Sequence, residues 1–336
     1  MIKINLEKIS REDLAHLEDK IPDYNLLQSW EYGEAKSSTS NWRVNRHFFS
    51  NNGNKIGYAQ VFVKHIPYLN TGVAWVNRGP LVLTENYSPL YPNLLNALYE
   101  DYVQERNMYL LIAPAQDKKS TLAAQNIEKF QVTETPGWVS ARVNLAEPLD
   151  KVRGKLGQKW RNSLNKSERM ELECLSGIQP DLFSTFVTNH QTFVEQHRYT
   201  TTVTPILLKR LQNLLPNNRK MYVFLAIQEG SCIGSILVCR YGKTCEYLAG
   251  ISTAKGRANC SGQFLIWQAI RQMKKLGFHW FDLGGLDAEQ TPSGILRFKR
   301  GVGGTPYELA PEIESHGGKL TSWSLGKFIQ YYRKTF

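Results

Sequence analysis

Two spacings of apolar residues alternate along this chain. Leu94, Leu98 and Tyr102 recur at i, i+4 and predict a helix from Pro89 to Arg106. Val152, Leu156, Trp160 and Leu164 repeat that spacing, predicting one helix from Lys151 to Arg169 capped by Asp150. Asp181 to Glu195 reads as a further helix, and so does Gln263 to Leu276, where Ile266, Ile270 and Met273 share a face and Gly277 supplies the stop. Ser10 followed by acidic residues marks a helix start, and Trp30 to Lys36 reads as a short helix. The second spacing is that of strands. Trp42 to Phe49 and Lys55 to Ile66 flank Ser50-Asn51-Asn52-Gly53 and predict a hairpin. Val73 to Asn77 and Tyr109 to Ile112 are single strands. Met221 to Ile227, Ser231 to Arg240 and Thr244 to Gly250 form a meander through Glu229-Gly230 and Gly242-Lys243 turns. His279 to Leu283 is a strand that exits through Gly284-Gly285, where small residues let backbone turn or lie close to a ligand. A helix over Pro292 to Lys299 and a strand over Tyr307 to Leu309 follow it.

This succession predicts an α+β protein, and 336 residues suffice for two modest cores. The division is expected at 147/148, with residues 1–147 plus 312–336 in one domain and 148–311 in the other. From Gly317 the tail is helical, aromatic and basic, expected to dock on the first domain, with peripheral contact at an anionic membrane surface, the inner membrane, as the other reading.

Composition narrows the classes. No apolar run reaches membrane-spanning length and no secretory leader is visible, so a cytoplasmic protein is expected. The five cysteines form no Cys-x-x-Cys pair and read as free thiols, with no metal site expected. The formal net charge of +11 favours polyanionic partners. It is most concentrated on the helix after Asp150, where seven cations face the single acid Glu168. Lys155, Lys159, Arg161 and Lys166 are the candidate RNA-phosphate contacts.

Phe281-Asp282-Leu283-Gly284-Gly285, followed by Gly294-Ile295 and Phe298-Lys299, resembles the C-terminal signature of the Fem aminoacyltransferases. Gln28 to Lys36, Asn77-Arg78-Gly79-Pro80, Lys159-Trp160-Arg161-Asn162 and Tyr247-Leu248-Ala249-Gly250 resemble the family in the same order. The resemblance implies two tandem Gcn5-related N-acyltransferase-like domains, each a mixed, mostly antiparallel sheet flanked by helices. It implies transfer of an amino acid from aminoacyl-tRNA to an amine of a nucleotide- or lipid-linked cell-wall precursor, by a monomer that needs no cofactor. An acyl-CoA N-acyltransferase acting on a sugar or amino acid is the rival reading, and a non-catalytic RNA-binding or scaffold protein of the same fold is another.

The candidate sites are Lys299, Phe298 and Tyr247 for catalysis, and Lys36, Trp30, Arg78, Arg198, Tyr199, Asn259 and Asp282 for substrate. Arg257 to Gly262 resembles the superfamily's pyrophosphate loop, with Cys260 where a glycine is expected; a side chain there obstructs close phosphate approach. One family branch has a carboxylate before Pro114. Here Ala113 stands there, so no general base is assigned.

Overall fold

A computed structural model describes residues 5–83, 90–120, 128–197, 203–289, 291–317 and 323–329. The chain divides into two compact units, Met1–Trp138 with Glu308–Phe336, and Val139–Tyr307. The expected cut at 147/148 lies later than this division. The strand Val139–Asn144 hydrogen-bonds to Trp280–Asp282 and so belongs to the second sheet.

In the first unit the strands run Asn5–Lys8, Arg43–Asn51, Asn54–His65, Gly72–Asn77, Tyr109–Ala113, Ile313–Ser315 and Gln131–Val132 across the sheet, with Leu81–Val82 paired to Asn54–His65. The predicted hairpin forms, turning at Asn52-Gly53 with both residues at positive φ. Leu94, Leu98 and Tyr102 are fully buried against this sheet, as the helical spacing requires. Their helix is α-helical only over Tyr91–Leu98. Tyr99–Glu105 continues as a π-helix, which keeps Tyr102 facing the core.

The second unit holds a seven-stranded sheet in the order Thr305–Glu308, Val139–Asn144, Trp280–Asp282, Thr244–Ser252, Ser231–Tyr241, Tyr222–Gln228, Glu173–Gly177. Its meander is antiparallel, while Thr244–Ser252 and Trp280–Asp282 run parallel through the crossover helix Ser261–Lys275. That helix buries Phe264, Leu265, Ile270 and Met273 on the sheet.

The basic segment departs from expectation. It forms two helices, Leu149–Lys155 and Gln158–Ser167, separated by extended backbone at Leu156 and Gly157. Pro148 precedes the first, and Asp150 lies inside it rather than capping it. The Gly157 amide donates to the Gly301 carbonyl at 2.9 Å, so the break satisfies backbone groups of another helix end. Val152, Leu156, Trp160 and Leu164 are nonetheless buried, because the apolar stripe continues across the break.

Candidate active site

The second sheet opens where two parallel strands part. Thr244, Cys245 and Glu246 pair with Trp280, Phe281 and Asp282. Beyond Glu246 the longer strand continues to Ser252 with its pairing on the Ser231–Tyr241 side, and its register there shifts so that Leu248 is bulged. The backbone edge from Tyr247 to Ser252 therefore faces an opening between diverging strands.

Asp282 fixes one side of that opening. Its carboxylate is buried and accepts from Ser140 Oγ at 2.6 Å, the Gly284 amide at 2.9 Å, Tyr307 Oη at 2.6 Å and Arg142 Nε at 3.2 Å. Arg142 also lies over the Tyr307 ring at 4.4 Å. Burial opposes charge on this guanidinium, but Tyr307 and Asp282 outweigh it and raise the pKa. Asp282, expected to bind substrate, is instead a brace: its acceptor positions are filled from within the unit, and it shapes the Gly284-Gly285 exit. Gly284 has φ +68, and a β-carbon there would lie 2.9 Å from the Tyr247 carbonyl oxygen.

Lys299 points back into this exit from the helix Ser293–Arg300. Its Nζ donates to the Gly285 carbonyl at 3.0 Å and stands 5.4 Å from the centre of the Tyr247 ring. Burial lowers its pKa, while Glu246 and Asp282 pull the other way. Glu246 is itself buried and accepts from Tyr241 Oη at 2.8 Å. The structure thus brings together Tyr247 and Lys299, half-buried, with burial also raising the Tyr247 pKa to about 12. The Phe298 ring lies 6.1 Å from that of Trp160 and beside Gly262 at the start of the crossover helix, where a β-carbon would meet it at 3.3 Å.

The loop before the crossover helix carries a further constraint. Cys260 is the N-cap residue at φ +58, a left-handed conformation that glycine adopts without strain. Asn259, expected to line the site, instead donates to Gln228 Oε1 at 2.7 Å. At the end of the open edge a cavity of about 360 Å³ is lined by Asn189, Phe193, Ser235, Ile251, Ser252 and Arg257, among others. The Ser235 hydroxyl in its wall is buried and has no hydrogen-bond partner among the described residues.

The expected uncompensated cations divide into two groups. Lys155 pairs with Glu147 at 2.6 Å, and Lys166 donates to the Ala258 carbonyl at 2.9 Å. Arg153 pairs with Glu168. No ion pair is formed by Lys151, Lys159 or Arg161 among the described residues. The sequence reading missed Glu147 because it sits before the helix.

In the first unit, Lys36 lies half-buried in the last turn of Trp30–Ser38. The Trp30 ring is covered by the Arg46 guanidinium at 3.8 Å, so this tryptophan has one face already occupied. Arg46 also reaches Gln60 and Glu34, and Gly33 leaves room for this network: a β-carbon there would lie 2.1 Å from Gln60 Oε1. Arg78 has φ +52 and lies 4.0 Å over the Trp138 ring. Its loop is held by Gln28, which donates to the Asn77 carbonyl at 2.9 Å, and by Asn25, which donates to the Arg78 carbonyl at 2.9 Å. Gln28 is fully buried, which ties the Gln28-to-Lys36 motif physically to the Asn77-to-Pro80 motif. Arg198 and Tyr199 lie outside the described residues. All five cysteines are free, and no group of metal-ligating side chains occurs among the described residues.

Comparison with known proteins agrees with this architecture. Residues 151–300 match the acetyltransferase (GNAT) domain family. No curated protein sequence matches the chain. The crystal structure of FemX superposes with a TM-score of 0.82 at 15% identity, covering 97% of this chain and all of that one, 100%. The C-terminal domain of a putative lysylphosphatidylglycerol synthetase from Agrobacterium fabrum follows with a TM-score of 0.60 at 16% identity, over 94% of this chain and 95% of that one. A tandem GNAT protein from the clavulanic acid biosynthesis pathway gives 0.53 at 10% identity, over 94% and 98%. The fold is that of tandem Gcn5-related acyltransferase domains, and the second unit is an acyl-group transferase domain.

Proposed function

We propose that this chain transfers an amino acid from aminoacyl-tRNA to an amine of a cell-wall precursor. The observation that carries the reading is the Lys299 ammonium, held by the Gly285 carbonyl at the opening between the two parallel strands. An acceptor amine attacks the ester carbonyl of the donor, and the carbonyl oxygen gains negative charge. Lys299 stabilises that oxyanion at a site where burial strengthens the interaction. The new C–N bond forms as the ester C–O bond breaks. The proton released by the amine ends on the departing ribose hydroxyl. The ester is already activated, so orientation and charge stabilisation supply most of the catalysis.

An extended donor laid along the open edge from Tyr247 to Ser252 runs from Lys299 toward the cavity walled by Ser235. Lys159 and Arg161 contact the tRNA phosphates, and Lys36 and Arg78 face the acceptor. Cys260, at the turn where a pyrophosphate loop needs bare backbone, supports this donor over coenzyme A. The match to an acetyltransferase domain keeps acyl-CoA as the rival donor.

The deciding experiment offers labelled aminoacyl-tRNA and labelled acyl-CoA separately, each with amine-bearing nucleotide- or lipid-linked precursor. Label moved from aminoacyl-tRNA alone supports the proposal. Label moved from acyl-CoA alone overturns it.

A further inference from the structure

One end of the first unit carries apolar side chains that its core does not use. The loop between Asn54–His65 and Gly72–Asn77 is tied shut: the Ile66 amide donates to the Thr71 carbonyl at 3.1 Å, and the Leu69 amide to the Ile66 carbonyl at 3.2 Å. Asn107 braces it from outside, donating to the Asn70 carbonyl at 2.7 Å and accepting from Thr71 Oγ1 at 2.8 Å. This braced loop projects Tyr68, fully exposed at 105%, and Leu69, exposed at 50%.

The tail reaches the same end of the sheet. Val73 pairs with Tyr109, so the strand Tyr109–Ala113 begins beside this loop. Gly326, in the helix 323–329, lies on the Tyr109 ring; a β-carbon there would come within 2.8 Å of Tyr109 Cε2. With its glycine side docked, this helix leaves Trp323 and Phe328 exposed at 45% and 63%.

Charge gives the surface its sign. Arg43, paired with Val63 on the neighbouring strand, is exposed beside the loop. Lys64 is exposed at the mouth of the loop, and Lys327 is exposed on the tail helix.

We propose that this end of the first unit docks on an anionic phospholipid bilayer. Tyr68, Leu69, Trp323 and Phe328 enter the headgroup layer, and Lys64 and Lys327 meet lipid phosphates. Amphipathic rings beside aliphatic side chains and lysines suit a membrane interface. RNA offers Leu69 neither a stacking nor a hydrogen-bonding partner. A second protein copy needs about 800 Å² on each side for a stable contact, and its presence is read separately in the test. If the aminoacyl-transfer reading holds, on which this consequence rests, docking selects the lipid-linked precursor over the nucleotide-linked one.

The test uses the purified full chain without donor or acceptor. Co-sedimentation is measured with vesicles of phosphatidylcholine containing phosphatidylglycerol, and with vesicles of phosphatidylcholine alone. Binding is expected on the anionic vesicles. It should fall about tenfold or more in Tyr68→Asp/Leu69→Asp and in Trp323→Asp/Phe328→Asp, and several-fold in Lys64→Glu, with melting temperatures unchanged. Ile206→Asp, at a residue of the second unit exposed at 70%, should bind as the parent does. Absence of binding to anionic vesicles overturns the proposal, as does binding that both double variants retain. A lipid-free change of oligomeric mass in Tyr68→Asp/Leu69→Asp, with vesicle binding intact, identifies a second copy as the occupant and also overturns it. No arm measures transfer, so failure of the catalytic reading leaves this result standing.

Discussion

Lys299 and Asp282 lie in one motif, yet their environments separate their roles. Asp282 is saturated by four donors from its own unit, whereas the ammonium of Lys299 holds one carbonyl and the face of a ring. Residue type alone could not distinguish them, because the partners Ser140, Arg142 and Tyr307 come from strands distant in sequence. The lowered Lys299 pKa has a sign that can be tested. Its ammonium loses the proton below the ordinary 10.5. Transfer that depends on the charge should therefore decline on the alkaline side earlier than an unperturbed lysine would dictate. Between the folded pKa and the unfolded one the unfolded chain binds more protons, so stability rises with pH there, and at neutral pH the buried ammonium is a net cost. Lys299→Met should thus keep or slightly raise the melting temperature while lowering the transfer rate about a hundred- to a thousandfold. Lys299→Arg should recover part of the rate and move the alkaline limb upward, because a guanidinium stays charged. A pH–rate profile of the parent and both variants checks this; an unchanged alkaline limb in Lys299→Arg removes the lysine from the chemistry.

At the scale of elements, apolar spacing located most strands and helices, because burial of one face imposes its period directly. The break at Leu156-Gly157 was not legible. Its cause is the Gly301 carbonyl, supplied by the end of the helix that carries Lys299. That junction couples the basic segment to the site. A β-carbon at Gly301 would fall 2.7 Å from Trp160 Cδ1, and Trp160 packs against Phe298, the neighbour of Lys299. Gly301→Val should therefore displace Trp160 and tilt the Lys299 helix. Overpacking of this kind destabilises by about 1–3 kcal/mol. Transfer should fall further than the lost stability explains when assayed well below the melting temperature. Denaturant unfolding alongside kcat separates the two, and a normal kcat in the folded variant would show that the junction does not position Lys299.

Over the whole molecule, the sequence motifs led to the tandem acyltransferase fold, and the structure explains why they occur as a set. Buried Gln28 joins two of them, and the open strand edge joins Tyr247 to the Gly284-Gly285 exit. What could not be read was which charges are free, since neutralisation depends on contacts that spacing does not encode. Glu147 takes Lys155 at 2.6 Å, leaving Lys159 and Arg161 without an ion pair among the described residues. This gives different expectations for chemically similar substitutions. In a salt series, Lys159→Gln and Arg161→Gln should each weaken tRNA binding and reduce the log–log slope by about one, as loss of one phosphate contact requires. Lys155→Gln should change the slope little, because its charge is already compensated within the fold. Folding should survive in all three, since the buried stripe of Val152, Leu156, Trp160 and Leu164 is untouched. Equal slopes for the parent, Lys159→Gln and Arg161→Gln would remove this helix from the RNA-binding surface. A loss in Lys155→Gln as large as in the other two would mean that the Glu147 pair opens when RNA binds.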